Sequence, residues 1–190
     1  MENMWKSWRI YRRCKGFTLI ELVLVIALSS MIMLPLLNML DFSIKASTIG
    51  NEKDELLLNG RYAIEYVKNE IKSADMILPS SKLMGLKATY KTNIGFIIMV
   101  EESANQNKFI TYHTKDGKLI RIAASARKGN YPLYSALSGF NEISEYMDSI
   151  GNSRLDLDKK MIFLDFGLRS PGGESLRLKS DIFIRVPIDY

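Results

Sequence analysis

The sequence predicts an α+β fold in which one long N-terminal helix packs on an antiparallel β-sheet. Residues 17–37 form an apolar run that contains a single charged side chain, Glu21. Apolar residues then recur at helical spacings as far as Leu78. The rest of the chain contains alternating segments joined by turn residues, which is typical of β-hairpins. A helix with an apolar stripe needs a sheet to cover that stripe, and this combination indicates the α+β class.

The first sixteen residues form a basic segment that ends at a glycine. Its charged residues give a net charge of +4; they are Lys6, Arg9, Arg12, Arg13 and Lys15 against Glu2. Subtracting this +4 from the chain's +5 leaves only +1 for the residues after Gly16. The basic character of the chain therefore comes mainly from this segment and does not indicate a nucleic-acid-binding domain.

The apolar run that follows is long enough to cross a membrane as a helix. At about 1.5 Å per residue, residues 17–37 span roughly 31 Å, the thickness of a bilayer's hydrocarbon core. A carboxylate inside such a run is costly and usually has a partner. A positive leader is expected to stay in the cytoplasm, with the C-terminal domain on the other side of the membrane. The alternative is that the Glu21 side chain extends to the lipid headgroups, in which case the carboxylate needs no partner and has no further role.

The junction between the two segments resembles a known processing signal. Gly16-Phe17-Thr18-Leu19-Ile20-Glu21 is similar to the signal of type IV prepilins and of the pseudopilins of type II secretion. The resemblance implies cleavage after Gly16 by a prepilin peptidase, which also methylates the new N-terminus at Phe17. It also implies a pilin-like fold and a role for Glu21 in assembly, in which its carboxylate meets the N-terminal amine of a neighbouring subunit.

Two other interpretations of the N-terminal region stay open. A conventional secretory signal could be cut near Ala27-Leu28-Ser29, although the apolar run continues through Leu37. A single-pass anchor without processing is also possible, but it does not explain why Gly16 and Phe17 lie at the charge boundary.

We expect the helix to begin at Phe17 and to reach Leu78, before Pro79. Pro35 lacks an N–H group, so a kink or local melting is expected near Met31–Pro35. Beyond residue 40 the apolar positions fall on one face; they are Ile49, Leu56, Ala63, Val67, Ile71, Ala74 and Leu78. Gly50 and Gly60 weaken the helix locally.

A second row of apolar residues lies away from this face. Leu58, Tyr62 and Tyr66 follow one another at four-residue spacing. Either the segment after Pro79 covers them, or they form an exposed contact with a neighbouring subunit, for which tyrosine is well suited.

The remaining segments predict a sheet built from hairpins. We expect strands over 95–101, 108–114, 119–123, 161–168 and 176–188, with loop-like residues at 125–139. Asp116-Gly117 predicts a tight hairpin turn, and Pro171-Gly172-Gly173 a second turn. Residues 140–147 fit either a helix or a strand.

The residue types that catalysis or metal binding needs are sparse. The chain has one histidine, His113, which we interpret as a sheet residue, and one cysteine, Cys14, in the basic segment. Asp156, Asp158 and Asn152 could hold calcium, but a solvated loop explains them better. We therefore expect no enzyme activity, no catalytic residue, no cofactor and no metal site.

The resemblance implies a structural subunit, a minor pilin or pseudopilin. Three regions are expected: a leader at 1–16 that is removed, a transmembrane and assembly helix at 17–40, and a soluble domain at 41–190. Its partners would be the prepilin peptidase/methyltransferase, other pilin or pseudopilin subunits, assembly platform proteins and the membrane; nucleic acid is not expected. Its location would be the cytoplasmic membrane and then a pilus or pseudopilus.

The alternative is a membrane-anchored module that binds DNA or a surface ligand and never polymerises. Pilus, type II secretion and DNA uptake are not distinguished.

Overall fold

The computed structural model describes residues 16–188, so the basic leader before Gly16 lies outside the described residues. Contacts within the chain divide it into two compact units, Met1–Ala46 and Ser47–Tyr190, which are described in turn. The structure confirms the predicted class, since a long N-terminal helix packs on antiparallel β-sheet.

The first unit contains the N-terminal part of helix α1, which spans Leu19–Lys72 (54 residues). The helix is unbroken at Pro35, so the expected local melting near Met31–Pro35 is wrong. A proline removes one hydrogen bond from the ladder, and the bonds on either side can keep the helix intact. The expected start at Phe17 is also wrong, because Thr18 caps the helix and Leu19 is its first residue.

In the second unit, helix α1 ends earlier than the apolar spacing predicts. The helix stops at Lys72, and the chain turns at Asp75 to pair with the sheet through a 2.9 Å hydrogen bond from the Asp75 N–H to the Met99 carbonyl. Ala74 and Leu78 are buried as expected, but Ala74 follows the helix and Leu78 lies in strand β1. A strand also alternates apolar and polar positions, so its residues extended the helical pattern by coincidence.

The larger sheet has five antiparallel strands in chain order. They are β1 (Met76–Pro79), β2 (Phe96–Ser103), β3 (Gln106–Lys115), β4 (Lys118–Arg127) and β5 (Ser138–Ser144). The β3–β4 hairpin closes as predicted at Asp116-Gly117, where φ is +52° and +72°. Two positive φ values characterise the type I′ turn, whose twist matches that of paired strands.

The smaller sheet is built around β8 (Met161–Arg169). Strand β9 (Ser175–Phe183) pairs along its whole length, while the short strands β6 (Met147–Ser149) and β7 (Arg154–Asp156) pair with opposite ends of β8. Because β9 fills one edge of β8, β6 and β7 share the other edge.

Three boundaries differ from the sequence prediction. Strand β4 continues to Arg127, so the expected loop at 125–139 is shorter, and it contains a short 3₁₀ turn. Residues 140–147, which fitted helix or strand, are the end of β5 and the start of β6. The last strand ends at Phe183, and the remaining segment reaches β1 through one parallel bridge between Ile188 and Ile77. Helix α2 (Leu86–Thr89) was not predicted.

The five-stranded sheet has a buried core on each face. One core joins helix α1, both sheets and the C-terminal segment around Phe96, Tyr112 and Phe166. The other covers the opposite face, where Leu83 and Leu86 of the segment after β1 pack on Ile97 and Phe109. This second core explains why consecutive residues of β2 and β3 are both buried.

Two features hold helix α1 on the sheets. The helix backbone comes close to strand β9 at Gly60, and the partly buried carboxylate of Glu70 binds two residues of the larger sheet. A Cβ atom at Gly60 would lie 2.5 Å from Leu178 Cδ1, so glycine permits the contact with β9. Ten residues further on, the Glu70 carboxylate accepts hydrogen bonds from the Tyr112 hydroxyl and from Arg121 Nε, the latter at 2.8 Å. Burial and the Glu70 charge raise the pKa of Tyr112, so its hydroxyl stays a donor.

We predict that Glu70→Ala lowers the free energy of unfolding by about 3 kcal/mol, because it leaves the Arg121 guanidinium partly buried without its carboxylate. Glu65→Ala is the matched control, since Glu65 pairs with Lys68 on the exposed side of the same helix; it should change stability little. Urea unfolding of the full chain in non-ionic detergent, followed by circular dichroism, measures both. Equal losses in the two variants would contradict this account of Glu70.

Candidate processing and assembly site

The predicted cleavage site lies in an open stretch of chain before helix α1. Gly16, Phe17 and Thr18 have no regular secondary structure, and all three are exposed. A Cβ atom at Gly16 would meet nothing within 4 Å among the described residues, and its φ is not in the left-handed region. The fold of the described chain therefore does not require glycine at this position.

Glu21 lies in the first turn of helix α1, where it forms a capping box with Thr18. The Thr18 backbone N–H and hydroxyl each donate to Glu21 Oε2 at 2.9 Å, and the Glu21 N–H donates to Thr18 Oγ1 at 3.3 Å. This reciprocal arrangement satisfies donors that the first turn of a helix leaves free. The sequence analysis missed this role of Thr18, although the Thr-x-x-Glu spacing before an apolar run is its usual signal.

Only one oxygen of the Glu21 carboxylate takes part in this box. The structure shows no hydrogen bond to Oε1 within residues 16–188. A carboxylate can accept several bonds through two oxygens, so Glu21 can cap its own helix and still accept a bond from a further donor.

The helix that begins here exposes its apolar side chains along the whole first unit. Residues 16–50 are all exposed, among them Leu24, Ile32 and Phe42. Within residues 16–188, α1 is the one helix long and apolar enough to cross a membrane. A single N-terminal helix of this kind also occurs as a signal sequence, so this finding needs support from the residues around it.

The second predicted site, the row Leu58, Tyr62 and Tyr66, lies in the second unit. Leu58 and Tyr62 are exposed, to 71% and 57%, whereas Tyr66 is partly buried against the core. The rings of Tyr62 and Tyr66 lie 6.1 Å apart. The interpretation in which the segment after Pro79 covers this row is wrong for Leu58 and Tyr62, because that segment packs on the opposite face of the sheet.

The other candidate residues, His113 and Asp156, lie in strands and contact neighbouring residues of the fold. His113 lies in β3, almost buried, with its ring 4.7 Å from that of Tyr90, and burial lowers its pKa. Asp156 ends β7 and accepts a 3.0 Å bond from the Lys159 N–H. Within the described part of the chain, no group of three or more His, Cys, Asp or Glu residues is arranged to hold a metal ion.

Comparison with protein families supports one of the interpretations of the N-terminal region. A family model described as the prokaryotic N-terminal methylation motif matches residues 11–37. The chain carries a prepilin-type N-terminal methylation motif. No curated protein and no solved structure matches the chain. The motif and the apolar helix together support a type IV pilin-like protein whose N-terminal helix anchors it in the membrane.

The motif spans the end of the basic segment, the Gly16–Phe17 junction, the capping box and the apolar run. It favours the prepilin interpretation over a conventional secretory signal or a plain anchor. It also points to a structural pilin subunit rather than an enzyme, and it implies processing by a prepilin peptidase and assembly with other pilins.

Proposed function

We propose that this pilin-like protein is a minor pilin or pseudopilin, cleaved after Gly16, N-methylated at Phe17 and assembled through helix α1 into a type IV pilus or a secretion pseudopilus. The observation that carries the proposal is the methylation motif at residues 11–37, which leads into helix α1, whose apolar side chains are exposed throughout the first unit. Gly16 supports it, because the described fold gives no reason for glycine there and recognition by a peptidase does.

The arrangement of the regions follows from this proposal. Residues 1–16 are a leader that is removed, 17–40 form the transmembrane and assembly helix, and 41–190 form the soluble domain outside the cytoplasm. The positive leader keeps the N-terminus in the cytoplasm before cleavage. In the membrane, helix α1 packs on lipid and on sister helices, because its apolar side chains need an environment other than water.

Glu21 is the residue that we assign to subunit assembly. Cleavage after Gly16 leaves a positive amine at Phe17, which must find an anion when it enters an apolar environment. Because Oε2 of Glu21 is held by Thr18, Oε1 faces no competing bond within residues 16–188 and can accept the amine of a neighbouring subunit. Pairing neutralises both charges, so it favours the assembled state in the membrane.

Two substitutions separate this role of Glu21 from helix capping. Glu21→Ala removes both the cap partner and the carboxylate, whereas Thr18→Val removes the hydroxyl of the capping box and keeps the carboxylate. We expect Glu21→Ala to remain in the membrane but to reduce the sheared surface fraction at least about tenfold, the effect of losing one charge-assisted contact of about 1.4 kcal/mol or more. Thr18→Val should assemble close to normal.

The measurement is an immunoblot of membrane and sheared surface fractions from cells that carry the assembly machinery. Normal assembly of Glu21→Ala would refute the pairing. Equal defects in both variants would assign Glu21 to capping alone.

We also propose that Leu58 and Tyr62, with the edge of Tyr66, form a contact between subunits. An exposed leucine and tyrosine one helical turn apart make a compact apolar patch, and tyrosine adds a polar tip. Tyr66 serves mainly as the inner support of Tyr62, since it packs on the core and its pKa is raised by burial.

Charge substitutions distinguish contact residues from core residues. Tyr62→Glu should fold with a normal urea midpoint but lower the surface fraction, because a charge in an apolar contact is costly. Tyr66→Glu should lower the urea midpoint itself. Asn69→Glu, an exposed change on the same helix, is the control and should do neither. The contact is refuted if Tyr62→Glu assembles as well as Asn69→Glu.

A further inference from the structure

The free edge of strand β9 is long and regular. All nine residues of β9 pair with β8 in one continuous register, without a bulge and without a proline. Within residues 16–188, β8 is the one strand that pairs with β9. Natural sheets usually shorten, kink or cover their edge strands, because an edge presents unpaired N–H and C=O groups to other chains.

The other edges of the two sheets carry such protection. Strand β1 has four residues, ends at Pro79 and is bridged by Ile188. Strand β5 pairs with β4 through two irregularities of register, and β6 and β7 have three residues each. Among the edges that the structure describes, β9 alone therefore presents a long, regular row of backbone groups.

The register of the β8–β9 ladder determines which backbone groups point outward from this edge. The Ile184 N–H donates to the Lys160 carbonyl at 2.9 Å, in the same register as the ladder. Bonded and non-bonded pairs alternate along an antiparallel ladder, so the even-numbered residues of β9 bond to β8. The odd-numbered residues of 177–183 consequently direct their N–H and C=O groups away from β8. No backbone hydrogen bond from outside the ladder reaches them within residues 16–188.

The side of β9 that faces helix α1 is only partly covered. Leu176 and Leu178 pack on this side and are partly buried, whereas their ladder partners on β8, Leu168 and Phe166, are buried. The helix therefore covers β8 more completely than it covers β9. A further strand beyond β9 would remove more of the two leucine side chains from water, which is favourable.

A groove with an excess of cations lies at the far end of this edge. It has a volume of about 560 Å³ and lies between the end of helix α1 and residues 181–186. Three cations and one acid, Asp181, line it. Two of the cations, Lys72 and Arg185, are exposed and form no ion pair within residues 16–188. The groove therefore favours an anionic group.

A second copy of β9 is not the partner that this edge fits. Strand β9 runs in the same direction as helix α1, since Lys53 pairs with Glu174 at 3.3 Å beside its start and Lys72 lies near its end. Antiparallel pairing of two β9 strands would direct the two helices in opposite ways, which two chains anchored in one membrane cannot adopt. A parallel pair in register would bring a second Arg185 to the cationic groove.

We propose that the free edge of β9 binds an extended segment of a different protein chain by β-strand addition, and that this segment is apolar beside Leu176 and Leu178 and acidic beside Lys72 and Arg185. Backbone hydrogen bonds to the outward-facing groups of β9 supply the affinity, and the side chains at the two ends supply the specificity. This binding does not depend on the methylation motif or on filament assembly.

The probe is an N-acetylated peptide of sequence VTVTETET with a fluorescent label, which places its valines and glutamates on one side of a strand. It matches a parallel strand, and the reversed peptide TETETVTV matches an antiparallel one. Fluorescence anisotropy with the full chain, held in nanodiscs of neutral lipid, measures binding. We expect one of the two peptides to bind with a Kd below about 1 mM. Failure of both peptides at that concentration would overturn the proposal.

N-methylation of alternate peptide amides tests the backbone pairing without any change to the protein. Successive N–H groups of a strand point to opposite edges. With valines and glutamates on the helix side, their N–H groups face β9 in the parallel arrangement, and the threonine N–H groups face β9 in the antiparallel one. Methylation of the set that faces β9 should weaken binding at least about tenfold, and methylation of the other set should not.

Equal effects of the two methylated sets would overturn the proposal. Both sets carry the same charge, so binding through charge alone, for example to the basic leader, would not separate them.

Substitutions in the protein test the same contact from the other side. Lys179→Pro removes one outward-facing N–H from the edge, whereas Lys179→Gln keeps it. We expect the proline variant to bind at least about fivefold more weakly than the glutamine variant. A urea midpoint close to that of Lys179→Gln shows that the proline variant folds; if it does not fold, the methylated peptides test the contact.

A paired substitution tests the cationic groove. Lys72→Gln/Arg185→Gln should weaken peptide binding about fivefold at low salt, because two exposed ion pairs are lost. The matched control is Lys87→Gln/Lys91→Gln, which removes two exposed lysines from the segment between β1 and β2 and should leave binding unchanged. Equal affinities of the two double variants would overturn the acidic character assigned to the bound segment.

Discussion

The apolar surface of helix α1 is the constraint on which the rest of the structure depends. From Phe17 to Phe42 nearly every large side chain of the first unit is apolar and exposed. Water is a poor solvent for such a surface, so the helix requires lipid or other helices. A carboxylate within it would oppose that transfer unless it has partners, and the capping box supplies Glu21 with two donors from Thr18. The N-terminal turn thus supplies the Glu21 carboxylate with hydrogen-bond donors from its own helix.

The second unit forms its own core around the part of the same helix that it contains. Both clusters of buried side chains lie between Leu56 and Ile188, and helix α1 contributes Leu56, Ala63 and Val67 to the larger one. Gly60 lets the helix lie close to Leu178 of strand β9. Glu70 accepts hydrogen bonds from Tyr112 and Arg121 of the larger sheet. In the second unit, the helix is therefore amphipathic: the sheets cover its apolar side, and its other side is polar.

The sequence was sufficient to predict the features that depend on local chemistry. The Gly16–Glu21 motif, the membrane-length helix and the Asp116-Gly117 turn each follow from a few neighbouring residues, and the structure or the family match confirms them. The end of helix α1 at Lys72 could not be predicted, because strand β1 continues the apolar spacing. Strands β6 and β7 are three residues long and exist only through pairing with β8.

The chemical state of the mature N-terminus tests the central claim most directly. Tandem mass spectrometry of the protein isolated from membranes of cells that express prepilin peptidase identifies its first residue and any modification. The account predicts a chain that begins with N-methylated Phe17. A chain that still begins at Met1, or one that begins after Ser29, would contradict it.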